Sequence, residues 1–157
     1  MQALDIKYNY KMTTPKDLNW LRLYLITNRS LFESDNNFLD ASEAALMGGV
    51  RTLQLREKNL TDCELIELGS QLRILTSNYN ARLIINSRAD IAKKIDADGV
   101  HLTESCAHAN EIKSAFPGLI VGVSTHSLEG AHIAEAQGAD YITFSPIYAT
   151  LSKANYG

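Results

Sequence analysis

The sequence has too little cysteine to be held together by disulfides: Cys63 and Cys106 are its only two, neither sits in a C-x-x-C pair, and both read as reduced thiols. It also lacks histidines at metal-ligand spacing. His101, His108, His126 and His132 contain no H-E-x-x-H arrangement, which removes the sequence case for a protein-built zinc centre. There is no excess of positive charge, because 15 Lys+Arg against 18 Asp+Glu leave a formal net charge of -3. Without a global basic field, nucleic acid is excluded as a general partner and any anion site must be local. No apolar run approaches the roughly 18 residues that span a bilayer, and residues 1–20 are too polar for a secretory signal core. These absences predict a cytoplasmic chain with no membrane partner.

What is present is enough for one core. A chain of 157 residues, 45% of them hydrophobic, suits a single domain. Residues 1–20 mix polar residues with Tyr8, Tyr10 and Met12 and are expected to form an N-terminal extension, docked outside or loosely ordered; the domain proper is 21–157. Within it, strand formers alternate with helical patterns. Residues 21–27 make a first strand, and 38–47 a helix stopped by Gly48-Gly49. The stretch 50–58 is a second strand, followed by Thr61-x-x-Glu64, a capping box that starts a helix with Leu65, Ile66, Leu68, Leu72 and Leu75 on its apolar face. Further strands are expected at 81–86, 98–102, 119–123 and 140–144. Helices are expected at 89–95 and 107–116, and from a Ser127 cap to Gln137. Short strands expected to be apolar on both faces, alternating with helices, imply a parallel sheet covered by helices, either open and doubly wound or closed as a barrel. Asp98-Gly99 and Gly138-Ala139-Asp140 repeat a small-residue entry into a strand, which hints at quasi-equivalent barrel units. No G-x-G-x-x-G follows the first strand, which counts against a dinucleotide fold.

In parallel α/β folds ligands gather at the carboxyl ends of the strands. The chain is organised around one such end. In 50–58, V-R-T-L-Q-L-R-E-K, an apolar run gives way to charge, and Gln54, Arg56 and Lys58 lie two apart. If the strand continues that far, all three share a face, and an amide with two cations suits a phosphate. The other strand ends supply Thr27, Asn86, His101, Ser124, His126 and the segment 145–153, with Thr150, Ser152 and Lys153. Together they describe a phosphate or pyrophosphate pocket with Arg56, Lys58 and Lys153 as its cations. His108 and His132 fall on helices and read as surface residues.

Five motifs, Q-L-R-E-K at 54–58, I-N-x-R-x-D at 85–90, G-V-H-L at 99–102, G-V-S-T-H-S at 122–127 and P-I-Y-x-T-x-S-K at 146–153, closely resemble the thiamine phosphate synthase and thiazole tautomerase family. They stand in family order from Leu23 to the end of the chain. The resemblance implies an α/β fold of the (βα)8 TIM barrel type, truncated here after about six βα units. It also implies a role in thiamine biosynthesis, small phosphorylated thiazole or pyrimidine partners, and a possible homodimer. On it, Gln54, Arg56, Lys58, Asn86, Ser124 and Lys153 would hold a hydroxymethylpyrimidine pyrophosphate, and Thr150 and Ser152 a thiazole phosphate. In the synthase branch, which joins the two, Mg2+ assists. The family's metal-binding aspartates correspond to Ser87 and a position near Cys106, and neither residue replaces a carboxylate for a hard cation. No metal ligand is therefore assigned, and Mg2+ is expected only if the chain acts as a synthase.

That departure resembles the tautomerase branch, which moves a proton on a thiazole carboxylate phosphate and needs a general base. His126 stands at its catalytic histidine. The preferred reading is a tautomerase-like protein binding thiazole phosphate, with activity in doubt for a chain of this length. The first alternative is a thiamine phosphate synthase, and the second a non-catalytic binding or regulatory protein. His101 is expected to be structural, and Asp90 to cap the following helix.

Overall fold

The computed structural model describes residues 18–105 and 108–148. After a 3-10 turn at Asn19–Leu21, the elements run β1 (Tyr24–Ile26), α1 (Asp35–Met47), β2 (Thr52–Leu55), α2 (Asp62–Asn78), β3 (Arg82–Asn86), α3 (Ala89–Lys94), β4 (Gly99–Leu102), α4 (Ala109–Ala115), β5 (Ile120–Thr125), α5 (Leu128–Ala136) and β6 (Tyr141–Phe144). Local chemistry sets the boundaries. Ser34 accepts the Asn37 amide to start α1, and Gly49 at φ 103° follows its end, a conformation glycine adopts without a Cβ penalty. Thr61 and Glu64 form the expected capping box on α2, each satisfying a backbone N–H of the first turn. Ser127 caps α5 by accepting from the Gly130 amide.

All six strands are parallel and lie in chain order, each paired with the next. On one face Leu53, Leu55, Leu83, Ile85, Val100, Leu102, Val121 and Val123 are buried in a single apolar core with Phe38, Leu65, Leu68, Leu72 and Ile91 from the helices. The other face is curved inward. In a flat sheet the outer strands of six would stand about 24 Å apart, at ~4.8 Å per step. Here the hydroxyls of Tyr24 on β1 and Tyr141 on β6 are 2.9 Å apart and their rings 5.9 Å apart. The sheet is rolled far enough for its outermost strands to touch through their side chains.

The inner face corrects the expectation of strands that are apolar on both sides. It carries Tyr24, Gln54, Asn86, His101, Ser124, Tyr141 and Thr143, alternating along each strand with the apolar outer set. Two glycines make room there. A Cβ on Gly122 would stand 2.1 Å from the Tyr141 ring, and one on Gly99 would stand 2.3 Å from the Ile120 carbonyl oxygen.

Trp20, the last residue of the expected extension, packs edge-on against Tyr141 at 5.7 Å, with the Arg82 guanidinium 4.8 Å from its ring centre. The repeated strand entry is structural. The Asp98 amide donates to the Leu83 carbonyl while its carboxylate accepts the Leu83 amide, and Asp140 does the same with Val121. In each case a cation from the helix one unit earlier in the chain pairs with the carboxylate: Arg73 of α2 with Asp98, and Lys113 of α4 with Asp140. Asp90 does not cap α3. It lies inside the first turn and pairs with Arg88, which also grips Asp62 on α2.

Candidate functional site

The rolled inner face opens at the carboxyl ends of the strands into a cavity of about 750 Å3. Its wall takes residues from every strand or the turn just beyond it: Ile26, Gln54 and Arg56, Asn86, His101 and Thr103, Ser124 and His126, Thr143 and Ser145. The alternation accounts for this set. Register pairs Ile26 with Gln54, Asn86 with His101, and Ser124 with Thr143, so inward side chains form successive layers across the sheet.

Gln54 is 2% exposed, so both ends of its amide must be satisfied. Its Oε1 accepts from the Tyr24 hydroxyl at 3.0 Å, and its Nε2 donates to Asn86 Oδ1 at 2.9 Å. Asn86 Nδ2 in turn donates to Ser87 Oγ at 3.1 Å. Across the cavity His101, 4% exposed, has Nδ1 3.1 Å from the Tyr141 hydroxyl and Nε2 2.9 Å from Ser124 Oγ. Thr143 donates to Ser124 Oγ at 3.3 Å. Burial, with the Arg56 charge as a second cause, pushes His101 down to about 4, so the ring is neutral at physiological pH. Burial raises Tyr24 to about 12 and raises Tyr141 still further, so both keep their protons.

Of the residues expected at the site, Gln54, Arg56, Asn86, Ser124 and His126 line this one cavity. Lys58 does not. The strand ends at Leu55, so the two-residue alternation stops before Lys58, which is exposed in a bend. Thr27 faces the other way: it donates to Glu57 and accepts from the Arg56 amide, anchoring the turn that carries Arg56. Thr150, Ser152, Lys153 and Cys106 lie outside the described residues. His126 donates from Nδ1 to the Ser145 carbonyl, which can only accept, so in the neutral ring Nε2 is the accepting nitrogen.

His101, Thr143 of β6 and Ser145 just beyond it belong to the wall, with Tyr141 behind it on His101; Ser145 opens the expected segment 145–153, His101 is expected from the sequence to be structural, and Tyr141 and Thr143 are not among the expected site residues. The signal was there. In Y-I-T-F-S at 141–145 polar residues alternate with apolar ones, as one polar and one apolar face require.

Among the described residues, no cluster of three or more His, Cys, Asp and Glu could hold a metal ion. Glu104 borders the cavity, but its Oε1 accepts the His126 amide. These residues do not fit a hard divalent cation, which prefers several carboxylate oxygens.

The chain is similar to known proteins over most of its length. Residues 23–156 match the family model described as thiamine monophosphate synthase. An Aquifex aeolicus relative is 50% identical over 131 residues, covering 83% of this chain and 69% of its own. The thiamine-phosphate synthase of Methanococcus maripaludis strain C7 is 39% identical over 136 residues, 85% of this chain and 62% of that protein. Among solved structures, a thiamine phosphate pyrophosphorylase from Pyrococcus furiosus superposes with a TM-score of 0.77 at 39% identity, over 84% of this chain and 63% of that one. The chain thus spans roughly two thirds of the length of the proteins it matches.

Proposed function

The chain belongs to the thiamine monophosphate synthase family, and from that premise we propose that its cavity is the pyrimidine side of a thiamine phosphate synthase site, built on six units of a (βα)8 barrel. The observation that carries this reading is the convergence of Gln54, Arg56, Asn86 and Ser124 on one wall at the strand ends. Arg56 supplies a permanent positive charge beside the neutral Gln54, Asn86 and Ser124, while the Glu104 carboxylate at the border is engaged by the His126 amide, and this suits the pyrophosphate of hydroxymethylpyrimidine pyrophosphate. In the coupling reaction the bond from the pyrimidine methylene carbon to the pyrophosphate oxygen breaks, and a thiazole nitrogen takes that carbon. Negative charge grows on the leaving pyrophosphate, and a fixed guanidinium there lowers the barrier. Lys153 is the further cation this reading calls on, and Lys58 joins it only if the bend after β2 turns it toward the bound ligand; Thr150 and Ser152 serve the thiazole phosphate. The names of the matched proteins favour this synthase alternative over the tautomerase reading.

One observation supports the tautomerase as a second reading. His126 lines the cavity with Nε2 as its accepting nitrogen, the form a general base needs, while the described residues offer no carboxylate set for Mg2+. Ser87 stands at φ 59°, a left-handed conformation that aspartate adopts more readily than most residues, so the missing acid can be restored there.

The test is to incubate the chain with hydroxymethylpyrimidine pyrophosphate and thiazole phosphate, with and without Mg2+. Thiamine phosphate formation that falls at least tenfold in Arg56→Ala and rises in Ser87→Asp supports the synthase. Metal-independent isomerisation of thiazole carboxylate phosphate, lost in His126→Ala, supports the tautomerase instead. Binding of either ligand without turnover would leave a non-catalytic binding protein.

A further inference from the structure

The direction of each hydrogen bond along the inner wall follows from counting protons. Tyr24 has one hydroxyl proton and gives it to Gln54 Oε1, so the bond between the two tyrosine hydroxyls is made by the proton of Tyr141. Tyr141 then has none left for His101. The 3.1 Å contact at Nδ1 therefore requires that Nδ1 carry a proton and donate it to the Tyr141 oxygen. His101 is buried and faces Arg56, which keeps the ring neutral, so Nε2 is an acceptor and the Ser124 hydroxyl 2.9 Å away donates to it. Thr143 donates to Ser124, and at the other end Gln54 donates to Asn86. The chain of bonds runs one way round the inner face and passes through all six strands.

We propose that Tyr141 is a positioning residue whose hydroxyl, oriented by Tyr24, locks His101 as the Nδ1–H tautomer and thereby presents Ser124 to the cavity as a hydrogen-bond acceptor. Gln54 of β2, Asn86 of β3 and Arg56 just beyond β2 present N–H donors. The cavity is therefore polarised: a ligand seated in it carries acceptor or anionic oxygen toward β2–β3 and an N–H or O–H donor toward β5. A phosphorylated aminopyrimidine has both ends. That last match rests on the proposed function, whereas the tautomer does not.

Gly122 is part of the device, since only a glycine there lets the Tyr141 ring lie across β5 to reach His101. Arg56 and the two tyrosines are the ionisable groups facing the imidazole.

Long-range 1H–15N spectra of the 15N-labelled full chain at pH 7, without ligand, report the protonation of each ring nitrogen, with His101 assigned by its loss in His101→Gln. The expected result is a protonated Nδ1 and an unprotonated Nε2 in the parent, unchanged in Ser124→Ala and lost in Tyr141→Phe. A parent ring protonated at Nε2 overturns the proposal, as does a folded Tyr141→Phe that keeps Nδ1–H. The parent spectrum decides even if Tyr141→Phe fails to fold. Because no ligand is present, its failure is distinct from a failure of pyrimidine binding.

Discussion

Single residues govern the inner wall, and His101 shows how. It is neutral because burial and Arg56 both oppose its charge, which lowers its value to about 4 from an ordinary 6.5. Between those two values the unfolded chain binds a proton that the folded chain does not, so stability falls as pH drops through that window and is level above it. The full effect is at most about 3.5 kcal/mol, at ~1.4 kcal/mol per pH unit. Urea titrations at pH 7 and pH 5 should show a marked loss of stability in the parent and a smaller one in His101→Asn; equal losses would remove His101 as the cause. Gly122 is the second case. Adding a methyl 2.1 Å from the Tyr141 ring forces that ring to move, and Gly122→Ala should cost about 1–3 kcal/mol, as overpacked sites do. Combining it with Tyr141→Ala should cost less than the sum of the single changes, because the clash disappears with the ring.

At the scale of elements, the helix starts were legible because capping is local chemistry. Thr61-x-x-Glu64 announced α2, and the structure closes both bonds of the box. Thr61→Ala should lower stability by about 1 kcal/mol in thermal or chemical unfolding, with little effect on ligand binding, since α2 packs on the outer face. Strand ends were less legible. Gln54, Arg56 and Lys58 have the right spacing for one face, but nothing in their side chains says that β2 stops at Leu55, because hydrogen bonding to β1 and β3 decides where the ladder ends. Asp90 is not the cap because the helix starts before it: Arg88 holds the N-cap position, and Asp90, inside the first turn, pairs with Arg88, which also grips Asp62. His101 and Tyr141 are the clearest loss. Each looks like an ordinary strand residue until the sheet rolls and brings β6 back toward β1.

For the whole molecule, a parallel sheet covered by helices was readable from the alternation of patterns, and the small-residue entries at Asp98 and Asp140 make equivalent bonds to the neighbouring strand. The roll of the sheet was not readable from those patterns, because it depends on contacts more than a hundred residues apart, such as Tyr24 with Tyr141. That roll turns polar residues scattered over six strands into one cavity wall, and the functional account depends on it. The measurement that tests it most directly is calorimetric titration of the parent chain and Arg56→Ala with hydroxymethylpyrimidine pyrophosphate. Saturable binding at one site per chain, weakened at least tenfold in Arg56→Ala while Thr61→Ala binds like the parent, is the predicted result. No binding by a folded parent chain, or equal binding by Arg56→Ala, would contradict the assignment of this cavity as the pyrophosphate site.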